Sequence, residues 1–120
     1  MKKWTLAFVL AGLLVISGFR GNRLTAQADA KKIDVTVKKF AFEPREITLK
    51  KGQPVVLVIK STDVAHGLRF RELNLDVKID KGGTGELRFT PDKVGDFVGH
   101  CSVFCGSGHG EMTLTLHVTE

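Results

Sequence analysis

The chain has 120 residues, with 18 Lys+Arg against 13 Asp+Glu, two cysteines and no tyrosine, a length that makes one domain. Four of the basic side chains, Lys2, Lys3, Arg20 and Arg23, fall in residues 1–28 with no acid beside them. The remainder is balanced at fourteen basic to thirteen acidic groups, which gives no sign of the net basic face that a nucleic-acid reader needs, and it holds too much Val, Ile, Leu and Phe for disorder.

In chain order, Met1-Lys2-Lys3 precedes Trp4 to Phe19, an uncharged run of sixteen residues. A bilayer span takes roughly 20 apolar residues, so this run is short for one. A basic start, an apolar centre and Ala26-Gln27-Ala28 before Asp29 match an export signal with a small-residue cleavage site. The basic stretch Arg20 to Thr25 fits instead the outer flank of an uncleaved N-terminal membrane anchor. Either reading makes residues 1–28 a leader and places a single domain, 29–120, outside the cytoplasmic membrane. The periplasm, or the outer face of that membrane, is the expected location.

The body reads as short strands. Ile33, Val35 and Val37 alternate with polar residues, Phe40 and Phe42 keep the two-residue spacing, and Ile47 and Leu49 precede the turn Lys51-Gly52-Gln53-Pro54. Val55 to Ile59 is a continuous apolar run, expected of a strand covered on both faces. Leu73 to Ile79, Leu87 with Phe89, Val94 to Gly99, and Leu114, Leu116 and Val118 supply the rest. Seven or eight strands at these turn spacings predict an all-β, two-sheet sandwich.

The soft donors are concentrated. Cys101, Cys105 and Met112, the only methionine besides Met1, lie with His109 in the loop before the last strand. Thiolate, imidazole and thioether together suit copper. Gly106, Gly108 and Gly110 let the backbone bring spaced ligands onto one centre. His66 follows the apolar run, and alternate loops of a sandwich cluster at one end, so it is placed to meet the late loop. The competing reading of the cysteines is a disulfide, which exported proteins favour. Closing so short a loop removes little chain entropy, roughly 2 kcal/mol against about 3 for a fifteen-residue loop. Zinc would accept two cysteines and two histidines but leaves Met112 without a role.

Asp63-Val64-Ala65-His66-Gly67, Phe89-Thr90-Pro91, Val94-Gly95-Asp96-Phe97 and Cys-x3-Cys-x3-His-x2-Met resemble the binuclear copper A domain of cytochrome c oxidase subunit II. The similarity covers residues 33–120 and is especially close to the compact subunit II of short-subunit heme-copper oxidases; the electron-entry domain of nitrous oxide reductase shares the motif. The resemblance implies a cupredoxin-like Greek-key sandwich. It also implies two copper ions bridged by Cys101 and Cys105, with His66 and Met112 completing one and His109 and the backbone carbonyl of Val103 the other. Family members often have Glu at the position of Val103, where its side chain helps bind magnesium in mitochondrial-type oxidases. Its absence, and a body without Trp or Tyr, argue against that subclass.

The resemblance further implies a one-electron carrier rather than a catalyst. Its expected donor is a c-type cytochrome or cupredoxin, and its acceptor a terminal oxidase, with a heme-copper oxidase subunit I as candidate partner. A different-class reading is a periplasmic copper-handling protein holding a single copper; a third is a copper-free interaction domain with a Cys101–Cys105 disulfide. Of the other residues, His100 is expected at the rim because strand alternation aims it away from the metal, His117 on an exposed strand face, and Arg69 and Arg71 on an outer sheet face. Phe40, Phe42 and Phe89 are expected in the core, while Leu68 and Phe104 fit either core or a docking patch. The pairs Lys31-Lys32, Lys38-Lys39 and Lys50-Lys51 read as solvated loops.

Overall fold

A computed structural model describes residues 30–120; the leader expected at 1–28 lies outside the described residues. The strands are β1 Lys31–Lys38, β2 Ala41–Glu43, β3 Glu46–Lys50, β4 Val55–Ser61, β5 His66–Phe70, β6 Leu75–Ile79, β7 Thr84–Phe89, β8 Gly95–His100 and β9 Thr113–Thr119. They form a four-stranded sheet in the order β2-β1-β4-β7 and a five-stranded sheet in the order β3-β9-β8-β5-β6. Most neighbours are antiparallel, but β1 with β4 and β3 with β9 run parallel.

The all-β sandwich is as the alternation predicts, with one strand more than expected. The addition is β5, whose His66-Gly67 start and interrupting Arg69 carry too little apolar periodicity to stand out. β6 begins two residues later than the pattern suggests. Arg71–Leu73 form a short 3-10 turn that ends on Asn74 in the left-handed region (φ 54°), a conformation that Asn tolerates better than most residues.

One face of each sheet supplies the core. Val35 and Val37 of β1, Leu57 and Ile59 of β4, Ile47 and Leu49 of β3, and Leu114, Leu116 and Val118 of β9 are all buried. Burying a side chain of this size contributes about 1.5–3 kcal/mol. Leu68 resolves to the core with Phe70, and Phe42 is fully buried. Phe40 does not join them: it is 38 % exposed, because it sits in the tight connection between β1 and β2 and turns toward the late loop instead of between the sheets.

On the outer face of the second sheet His117 ties three strands together. Its Nδ1 lies 2.6 Å from Asp96 Oδ1 on β8, and its Nε2 lies 3.2 Å from Glu46 Oε1 on β3. Hydrogen bonds to Asp96 first, then Glu46, raise its pKa above the ordinary 6.5. The stabilisation from this raised value is fully present below about pH 6.5 and is lost as pH rises through the folded-state pKa. Denaturant melts of His117→Gln should therefore fall below those of the parent at pH 5.5, with the gap closing toward pH 9. A gap that widens with pH would contradict this.

Three segments meet at one end of the sandwich. Ser102 N donates to Gly67 O (3.4 Å), Cys101 N to Met112 O (3.2 Å) and Thr62 N to Val37 O (3.1 Å). The 62–65 turn, the 101–112 loop and the β1–β2 connection are thereby held together.

Candidate metal centre

The first half of the site is built by the turn between β4 and β5. Buried Ser61 donates its hydroxyl to Val64 O and accepts from Asp63 N, which closes the turn. Asp63 then accepts from the Val64 amide (2.6 Å), from the Lys39 amide (2.8 Å) and from His66 Nε2 (2.7 Å). Burial opposes ionisation of Asp63, but the bonds from the Lys39 amide, His66 and the Val64 amide outweigh it and bring its pKa below the ordinary carboxylate value. An ionised carboxylate only accepts, so Nε2 of His66 carries the proton and Nδ1 offers its lone pair. That Nδ1 lies 3.9 Å from Cys101 Sγ.

The second half comes from the loop between β8 and β9. Cys101 and Cys105 are free thiols with their sulfurs 4.0 Å apart. Cys101 Sγ donates to the Val103 carbonyl at 3.2 Å, Cys105 Sγ lies 3.3 Å from Met112 Sδ, and 3.7 Å separates Cys105 Sγ from His109 Nδ1. All six donors named from the sequence are thus linked by contacts of 3.2 to 4.0 Å. The ligand atoms of His66, Cys101 and Cys105 all lie within 4.8 Å of one another. His109 joins through Cys105. The late donors converge because β8 ends at His100 and the chain folds back through a short 3-10 turn, His109–Glu111, to start β9.

Glycines permit the close approaches. A Cβ on Gly67 would collide with Ser102 Oγ and lie 3.1 Å from Val103 Cγ2. Gly106 has φ +142°, and a Cβ on Gly108 would sit 2.5 Å from the Phe40 ring. Phe40 is therefore the floor of the late loop, a role that its place in the sequence does not reveal. Asp63 likewise has no role that the sequence assigns, although a carboxylate three residues before a ligand-type histidine is a usable signal. Gly67→Ala should push the Ser102–Val103 segment outward. The expected cost is about 1–3 kcal/mol of stability together with weakened metal uptake, read by thermal melting and metal titration; an unchanged titration would show that this approach does not set the site.

Burial, then the charge of Cys101 and its hydrogen bond, push the Cys105 thiol up to about 11. Without metal this cysteine is a protonated thiol at neutral pH, and a metal must displace its proton. Iodoacetamide should alkylate Cys105 of the metal-free chain slowly at pH 7 and steadily faster as pH approaches 11. A rate that levels off below pH 9 would contradict the shift.

The donor set fits a soft metal. It offers two thiols, two imidazoles, a thioether and a carbonyl, and the four side chains other than His109 are buried while His109 is half-buried. The orienting carboxylate of Asp63 occupies the far nitrogen of His66, as ligating histidines require.

Comparison with known proteins agrees with this chemistry. The family model for a cupredoxin-like domain matches residues 6–114. Cytochrome c oxidase subunit 2 of Thermus thermophilus is 32 % identical over 81 residues, covering 68 % of this chain and 60 % of that protein. Nitrous-oxide reductase of Cupriavidus necator is 33 % identical over 90 residues, covering 72 % of this chain and 14 % of the enzyme. Among solved structures, a heme-copper terminal oxidase dimer gives a TM-score of 0.67 at 26 % identity, over 87 % of this chain and 74 % of that one. The periplasmic domain of cytochrome oxidase subunit II from Bradyrhizobium japonicum gives 0.68 at 21 % identity, over 75 % and 84 %. The chain spans about 60 % of the Thermus relative's length.

Proposed function

The chain belongs to the cupredoxin-like domain family, and from that premise we propose that it is an exported one-electron carrier with a binuclear copper centre, acting as or like subunit II of a cytochrome c oxidase. The observation that carries the reading is the second cysteine. Cys105 faces Cys101, Met112 and His109 at once, which a single-cysteine copper site has no use for.

Cys101 and Cys105, as thiolates, together with His66, Met112, His109 and the Val103 carbonyl would hold the two ions. When bound, the copper pair supplies one-electron redox chemistry with the change of charge spread over both ions. The chain's own task is to keep its donors still. Asp63 fixes the His66 ring, Phe40 supports Gly106 and Gly108, and Met112 is packed in the core cluster. A close-packed surround of this kind resists rearrangement. No group in the site is arranged as acid, base or nucleophile. Similarity to oxidase subunits supports a c-type cytochrome or cupredoxin as donor and a heme-copper oxidase subunit I as acceptor.

A second reading has one observation behind it. The tight grouping of His66, Cys101 and Cys105 suits a single Cu(I), as a copper-handling protein needs. Elemental analysis after anaerobic loading and desalting separates the two: about two coppers per chain for the carrier, about one for the handler. A disulfide-bonded interaction domain would bind none.

A further inference from the structure

Beside the proposed centre, Arg69, Arg71, His100, Cys101, Ser102 and His109 line an open cavity of about 470 Å³. It arises because Arg69 stands directly opposite His100 across β5 and β8. Arg71 opens the short 3-10 turn directly after β5, and both arginines are exposed while Leu68 and Phe70 turn inward. No acidic side chain is among the residues lining it. Asp76 meets Arg69 Nε at 3.4 Å and accepts from Ser102 Oγ at 3.2 Å, while among the described residues Arg71 has no ion-pair partner. A guanidinium stays charged at any physiological pH and matches a carboxylate with two parallel donors.

The cavity touches the one side chain through which the site reaches the surface. His66, Cys101, Cys105 and Met112 are buried, whereas His109 is half-buried. Phe104, 78 % exposed, packs against His109 with ring centroids 5.6 Å apart. A partner seated here would find an apolar contact in Phe104, a positive cavity beside it, and His109 between them. The positive character is local, since residues 29–120 are almost charge-balanced.

We infer that this face docks a redox partner through carboxylates on the partner's surface, received by Arg69 and Arg71 beside His109. The inference rests on the electron-carrier reading and adds the sign of charge that the partner must present. Charges at such a rim set encounter rate and salt dependence more than the final contact.

The test uses the full chain in detergent, metal-free and copper-loaded, with a basic cytochrome c and the same cytochrome after succinylation of its lysines. The succinylated form should bind both states of the chain more tightly than the basic form at low salt, and salt should weaken it. Arg69→Gln/Arg71→Gln should lose about tenfold or more of that binding. Lys50→Gln/Lys51→Gln, the same charge change where β3 ends far from the site, should lose little. Tighter binding of the basic form, or equal loss in both double variants, would overturn the inference. Because binding is read on metal-free chain, a failure of the carrier reading looks different: binding persists, but the loaded chain takes no electron from either reduced cytochrome.

Discussion

Cys105→Ser is expected to lower the copper content from about two ions per chain to about one. Cys105 lies 4.0 Å from Cys101 and contacts both Met112 and His109, so its thiolate would be shared by both ions. Serine is nearly isosteric, but its hydroxyl does not ionise readily. Two cations would then stand close together with one thiolate between them, and the second should leave. Cys101, His66, His109 and Met112 remain, a donor set of the kind that holds one copper. The fold should survive, because Cys105 contributes only a small side chain to a core otherwise made by the sheets. Elemental analysis with a thermal melt reads both outcomes. Retention of two coppers would show that Cys105 is no bridge.

Asp63→Asn is expected to weaken copper binding by about 10–100-fold, the usual cost of losing a partner that orients a ligating histidine. Asp63 Oδ1 holds His66 Nε2 at 2.7 Å, which fixes the tautomer and makes the ring a better donor. Asparagine can present its amide nitrogen to the ring and accept less well, so the free nitrogen is no longer reliably the one facing Cys101. Loss of the nearby negative charge also disfavours the oxidised, more positive state, and the reduction potential should rise. Competition with a calibrated Cu(I) chelator measures the affinity, and equilibrium redox titration the potential. An unchanged affinity would mean that the turn, not the carboxylate, positions His66.

The parts of the molecule legible from sequence were those with local periodicity or concentrated chemistry. Leu114, Leu116 and Val118 announce β9 by alternation, and Cys101 to Met112 announce a soft-metal loop by composition. β5 does not stand out as a strand because it joins His66-Gly67 to an alternation of only two apolar residues, although the outward placement of Arg69 and Arg71 is visible in the sequence. The support of the site was harder to read. Phe40 has the spacing of a core residue, and its contact with Gly106 and Gly108 depends on the β1–β2 connection meeting a loop distant in sequence. The same holds for the Lys39 amide bonded to Asp63 and for the convergence of Arg69, Arg71 and His109 on one cavity. Such contacts follow from how the strands are ordered in the sheets, which no single segment encodes.

The central claim is that two coppers share one centre, and electron paramagnetic resonance of the oxidised, copper-loaded chain tests it most directly. The paired thiols Cys101 and Cys105 predict a hyperfine pattern from one unpaired electron spread equally over two copper nuclei. A pattern from a single copper nucleus would contradict it.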